Sequence, residues 1–218
     1  MRATSKLLAL ALAGALQPAV AGVMSVDFED LTNVVQLGDR YASKGLSFTG
    51  DAWGMVSRLN GCPGVGLVLR ADSCGGLMLA QQPTDDPSTD KSGFTLNFAG
   101  GFVNEFSFVY SALADSDVVV ELYDGRGGQG NLLASAANLN AGNCTIPGVQ
   151  FCEWNTRSVK FDGTAQSLRI TGFDQTLMLD DLSFITPTAG GDLPEPGGVA
   201  LALSALGALG WARRRTAR

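Results

Sequence analysis

The chain has 218 residues, with 21 Asp plus Glu, 15 Lys plus Arg and no histidine, for a net charge of −6. Without histidine, Ser-His-Asp and Cys-His nucleophilic catalysis and histidine-based metal hydrolysis are excluded. Residues 22–192 carry 20 acidic against 9 basic side chains, a net −11, which argues against nucleic acid and anionic membrane surfaces and leaves divalent cations, neutral polysaccharide or plain solubility.

Residues 1–21 begin with Arg2 and Lys6, continue with an apolar stretch at 7–16 and end on Ala19-Val20-Ala21, a small-x-small cleavage site. This reads as a secretory signal peptide, removed by signal peptidase and excluded from the fold. The body that follows, residues 22–185, is the size of one domain.

No segment of that body sustains a helical period. Glycine is abundant and strand formers come in short runs, at 23–28, 45–48, 52–57, 64–69, 76–80, 93–98, 105–111, 118–123, 132–137, 157–161, 167–171 and 176–184. About a dozen short strands separated by turn signals predict an all-β, two-sheet antiparallel sandwich of the jelly-roll type. Phe94, Leu96 and Phe98, then Phe106, Phe108 and Tyr110, alternate with polar residues, as one packed sheet face requires.

Four cysteines in an exported chain read as disulfides, and the local pairing of Cys62 with Cys74 and Cys144 with Cys152 closes two short loops. Zinc is disfavoured by the absence of histidine and of Cys-x-x-Cys spacing. The loop at 81–92 contains Asp85, Asp86 and Asp90 and reads as a solvated connection. Gly125-Arg126-Gly127-Gly128-Gln129-Gly130 fits the dinucleotide pattern G-x-G-x-x-G, but no helix follows to receive a pyrophosphate, so it reads as a hairpin loop. Glu105, Glu121 and Glu153 are the acids available to a two-carboxylate glycosidase, and no short motif brings two of them together. Trp53, Trp154 and Tyr123 are the aromatic residues that could stack on sugar rings, although tryptophan in a sandwich more often covers a core edge.

Val26-Asp27-Phe28-Glu29-Asp30-Leu31, with Tyr41 and Gly45-Leu46-Ser47-Phe48, and Leu179-Asp180-Asp181-Leu182-Ser183-Phe184 resemble the first and last strands of secreted jelly-roll domains of the galactose-binding or lectin-like kind. By alternation Asp180 shares the core face with Met178, Leu182 and Phe184. A buried carboxylate is usually satisfied by backbone N–H groups. The resemblance implies a second arrangement, in which Asp180 and Glu29, with Asp27 or Asp30, hold a structural Ca²⁺ between first and last strands.

After a linker at 186–193 comes Pro194-Glu195-Pro196, an apolar run at 197–212 and a cationic end of Arg213, Arg214, Arg215 and Arg218. The two prolines keep Glu195 extended and accessible. As a helix the apolar run would span about 24 Å against roughly 30 Å of hydrocarbon, extended by Trp211 at the interface and by the arginines, which stay cytoplasmic. Residues 194–218 resemble the PEP-CTERM sorting signal. The resemblance implies export in a Gram-negative bacterium that makes exopolysaccharide, a transmembrane helix held in the inner membrane, and processing by an exosortase at Pro194 to Pro196. Three functions fit the whole: a non-catalytic surface or matrix protein first, then a carbohydrate-binding module recognising polysaccharide, then a glycoside hydrolase.

Overall fold

The computed structural model describes residues 21–58, 61–64, 70, 72–83, 89–113, 116–139 and 151–187, within one compact unit, Ala21–Ala189. The expected signal peptide, sorting signal and most of the linker lie outside these residues, as do Cys144 and all but Gly64 of the strand expected at 64–69. Among the described residues no helix is long and apolar enough to cross a membrane.

The described chain forms ten strands: β1 Val23–Val26, β2 Val35–Gln36, β3 Leu46–Gly50, β4 Ala52–Val56, β5 Gly75–Leu79, β6 Lys91–Ala112, β7 Val119–Tyr123, β8 Leu132–Ala137, β9 Asn155–Phe173 and β10 Leu177–Ile185. Their pairings are antiparallel. The hydrogen-bonded path runs β2-β4-β5-β10-β6-β9-β7-β8, with β1 on β10 and β3 on β6.

β6 and β9 are the spine. They pair from Lys91↔Phe173 to Tyr110↔Asn155, with register breaks between Asn97 and Phe102 and between Val103 and Glu105. On one side of the breaks β3 joins β6 and β7 joins β9, giving a first layer β3-β6-β9-β7-β8. On the other side β6 takes β10, which carries β5, β4 and β2 in turn and β1 alongside β5, giving the second layer. Four runs read from sequence as separate strands are therefore two long ones. The small residues Ala99, Gly100 and Gly101 supply a bend rather than a turn, with Gly101 at φ +68° and Asn104 at φ +66°, so the polar backbone stays paired on both sides of it.

One apolar core fills the space between the layers. It includes Phe94, Leu96, Val120, Leu122, Leu168 and Ile170 of the first layer and Phe106, Phe108, Leu77, Leu177, Leu179 and Phe184 of the second. The rings of Phe98 and Phe184 meet across it at 5.7 Å between centroids. At the bend, fully buried Phe102 packs against Phe161 at 5.5 Å and Phe184 at 5.3 Å. The period-two aromatics of β6 are core, as their alternation predicts.

β10 departs from its predicted alternation. Its register with β6 shifts between Asp180 and Ser183, and Asp181 has φ +47°, so a β-bulge resets the parity of the strand. Leu177 and Leu179 face the core before the bulge, and Leu182 and Phe184 after it. Met178 faces the other way, into a second cluster with Met55, Met78, Ala80 and Phe151. Asp180, two residues on, shares the face of Met178 and not that of Leu182 and Phe184. The chain loses one residue of phase at Asp181, and simple alternation through the bulge assigns the acid to the wrong side.

Candidate functional site

The sequence-predicted site residues fall into two places. Trp53 and Trp154 are brought together, 101 positions apart in sequence, on the outer face of the second layer. Trp53 projects from β4 beside Met55, and Trp154 arrives on the segment preceding β9; both pack against the cluster formed by Met55, Met78, Ala80, Phe151 and Met178. Both are half-buried, and both indole N–H groups are buried with no hydrogen-bond partner among the described residues. On this face the two rings cover part of a methionine-lined patch.

Glu29 and Asp180 are also brought together, through the segment that ends at the Cys62–Cys74 disulfide. Glu29 Oε1 accepts from the Ser73 hydroxyl at 2.6 Å and the Cys74 N–H at 3.0 Å, and Oε2 takes the same N–H at 3.1 Å. Behind it Gly75 is obligatory: a Cβ there would lie 1.9 Å from the Phe28 carbonyl oxygen. Asp180 is 1% exposed. Its Oδ1 accepts the Asp181 N–H at 2.8 Å and its Oδ2 lies 3.8 Å from Arg70, which is itself paired with Asp181 at 2.9 Å and Asp72 at 2.5 Å. Burial pushes the Asp180 carboxyl up to about 7, against the lowering effects of the Asp181 N–H, Ser73 and Arg70.

This is the hydrogen-bonded arrangement of a buried acid, with Arg70 as its counter-charge. Asp27 accepts the Glu29 N–H at 3.4 Å. Asp30 is engaged by the Tyr41 hydroxyl at 2.6 Å and Arg40 at 3.3 Å; partial burial raises its carboxyl, and these donors outweigh that and hold it below the usual range. Among the described residues no group of three or more Cys, Asp or Glu is arranged to hold a metal. In this arrangement N–H donors meet the Glu29 and Asp180 carboxylates, and the Arg70 guanidinium lies 3.8 Å from Asp180.

The three glutamates weighed as catalytic acids are not paired. Glu121 lies on the outer face of the first layer and accepts the Tyr123 hydroxyl at 3.0 Å. Glu105 sits at the Lys160 register and Glu153 precedes Asn155, which pairs with Tyr110. Five residues of strand separate those registers, roughly 17 Å at 3.3 Å per residue.

A further concavity lies away from both the tryptophans and the Glu29–Asp180 pair. A groove of about 760 Å³ crosses the outer face of the first layer, lined by Thr49 of β3, Gly93 and Thr95 of β6, Arg169 and Thr171 of β9, Val119 of β7, and Gly127 and Gln129 of the β7–β8 loop, with Asp51, Lys91 and Asp117 at its margin. These side chains point outward because their neighbours Phe48, Phe94, Leu168, Ile170 and Val120 take the core positions. Register aligns them: Thr49 opposite Thr95, Thr95 opposite Arg169, Arg169 opposite Glu121, and Gly93 opposite Thr171.

One wall is the glycine-rich loop that sequence reading treats as a bare hairpin connection. It folds back onto the sheet and is fixed there. The Gly127 N–H donates to Asn97 Oδ1 at 2.6 Å, the Gly128 N–H donates to Ser167 Oγ at 3.0 Å, and the Ser167 hydroxyl donates to the Gly125 carbonyl at 2.5 Å. Gly128, at φ +67°, lies over the stem of Arg169, where a Cβ would come 3.4 Å from Arg169 Cδ. A side chain there would be strained in backbone. Asn97 and Ser167 are the sequence signal for this wall: polar residues at outward positions in strands long enough to support it.

No family model matches the chain, and no curated protein matches it. Among solved structures, the K2 cleaved adhesin domain of Lys-gingipain is similar over 76% of this chain and 100% of its own, with 9% identity and a TM-score of 0.51. The K1 adhesin domain of Lys-gingipain from Porphyromonas gingivalis W83 is similar over 76% and 99%, with 12% identity and a TM-score of 0.47. TmCBM27, a carbohydrate-binding module described for specific mannan recognition, is similar over 78% and 98%, with 12% identity and a TM-score of 0.41. The likeness to the K2 domain is one of fold: an all-β antiparallel sandwich.

Proposed function

We propose that the protein is an exported, non-catalytic glycan-binding module, delivered to the cell surface or extracellular matrix by its C-terminal sorting signal. One observation carries the binding role: an open groove floored by Thr49, Thr95, Arg169 and Thr171 on paired strands and walled by a pinned loop. Hydroxyls and a guanidinium on rigid strands suit a ligand made of hydroxyl groups, because they are oriented before it arrives. Of the acids that line the groove, Asp51 accepts from Ser92 Oγ and the Gly93 N–H at 2.9 and 3.1 Å, and Asp117 is ion-paired with Lys91.

Binding of the full chain to a panel of plant, algal and bacterial polysaccharides tests this reading. Thr171→Trp, which fills the groove from an outward position, should lower affinity at least tenfold without lowering the melting temperature. Trp53→Phe and Trp154→Phe should leave binding unchanged. Silence across the panel, or full binding by Thr171→Trp, would overturn it.

A further inference from the structure

The groove's charges point to a narrower ligand class, and this step rests on the glycan-binding reading above. Four charged side chains line it: Asp51, Lys91, Asp117 and Arg169. Asp51 is turned onto the Ser92 hydroxyl and the Gly93 N–H. Lys91 and Asp117 neutralise one another, and Lys91 also lies 4.2 Å from the ring centre of Phe173. Arg169 differs from these three. Among the described residues no carboxylate lies within 4 Å of its guanidinium, although Glu121 stands opposite it in register. That glutamate accepts the Tyr123 hydroxyl instead.

Arg169 is held in a way that exposes its head. Its stem runs beneath Gly128, whose loop is tied down by Asn97 and Ser167, while the residue as a whole remains exposed at the groove floor. Stem burial lowers the entropy lost when the guanidinium engages a ligand. A planar fork with five donors and no carboxylate partner among the described residues matches a carboxylate, which it can hold by two parallel charge-assisted hydrogen bonds. Thr95 and Thr49, in the same row across the sheet, are placed to meet hydroxyls of the same or a neighbouring sugar.

We infer that the groove takes an acidic polysaccharide, with Arg169 receiving the carboxylate of a uronic acid residue. The body's net −11 does not forbid this, because exposed charges beyond about 8 Å are largely screened at physiological salt, whereas the Arg169 contact is direct.

The test uses the full chain and three uronate polymers, polygalacturonate, alginate and hyaluronan, each beside its carboxyl-reduced form, in which the acid is a neutral primary alcohol. At least one acidic polymer should bind, and reduction should weaken it tenfold or more. Arg169→Ala should lose the same factor on the acidic polymer and nothing further on the reduced one, and Arg169→Lys should recover part of it. Equal binding of the acidic and reduced forms, or an Arg169→Ala variant that still prefers the acid, would overturn the inference and leave a neutral-glycan groove standing. Absence of binding to every polymer, acidic or neutral, would remove both.

Discussion

Asp180 is the side chain whose environment departs furthest from that of a free carboxylate, and it carries a pH signature. Its carboxyl titrates at about 7 in the fold against an ordinary 3.8, so the folded protein holds this proton more tightly than the unfolded chain. The resulting stabilisation is complete below about pH 3.8, fades as pH rises and is gone above about 7. Asp30, Asp72 and Asp124 shift the other way and act in the acid range with opposite sign, so the useful measurement is a difference. Asp180→Asn keeps an oxygen for the Asp181 N–H; relative to it, the wild type should lose stability in urea unfolding as pH is raised from 4 to 7. A constant difference across that window would contradict the titration. The tryptophans allow a second test at this scale. Each buries an indole N–H with no partner among the described residues, a cost of about 1 to 3 kcal/mol per group. Trp154→Phe should therefore be neutral or stabilising in a thermal melt, whereas Trp154→Ala should cost about 3 kcal/mol through lost packing. A Phe variant as damaged as the Ala variant would show that the N–H is satisfied after all.

Strand content, the core stripe of β6 and the Cys62–Cys74 bridge were legible in the residues, because period-two alternation and a local cysteine pair are short-range signals. The bulge in β10 was not, since it is set by how Asp180 and Asp181 sit against two neighbouring strands rather than by their own types. The merging of four runs into β6 and β9 was hidden for a similar reason: Gly100 and Gly101 spell a turn locally, and only pairing along both edges turns it into a bend. The groove was the least legible. Thr49, Thr95 and Arg169 come from three strands, and each alone reads as an ordinary solvent-facing residue. Trp53 and Trp154 stood out for their chemistry, but the burial that decides their role comes from Met55, Met78 and Met178, whose outward direction depends on the sheet. Among the connections, the one clipped by the Cys62–Cys74 bridge should matter most to stability. Cys152 is disulfide-bonded as well. Replacing Cys62 and Cys74 together by serine should lower unfolding free energy by about 3 kcal/mol, as expected for a loop of this length, read in urea under non-reducing conditions. An unchanged midpoint would mean that Glu29 and Arg70 hold the segment unaided.

For the molecule as a whole, the proposal of export and sorting predicts a defined covalent product. Mass spectrometry of the protein purified from its producing cells should show a chain starting at Gly22 and ending near Pro194 to Pro196, four half-cystines, and none of residues 197–218. Recovery of the intact chain with both ends present would defeat it. Deleting 197–218 should release the body in soluble form, because the last strand is complete at Ile185.

The two ends of that body are fastened to each other. The Gly22 carbonyl accepts both the Thr186 N–H at 2.8 Å and the Thr186 hydroxyl at 2.9 Å, beside the Val23↔Ile185 pair. Entry and exit are thus a single point, on the layer that does not carry the groove. A protein attached to a surface through its exit would hang from one corner like a pendant. Tension on the tether would load β10 along its length, in shear against β1, β5 and β6, rather than peel the grooved layer open. The seam that closes the domain is also its mechanical clasp, and a captured polymer could be pulled without first distorting the strands that hold it.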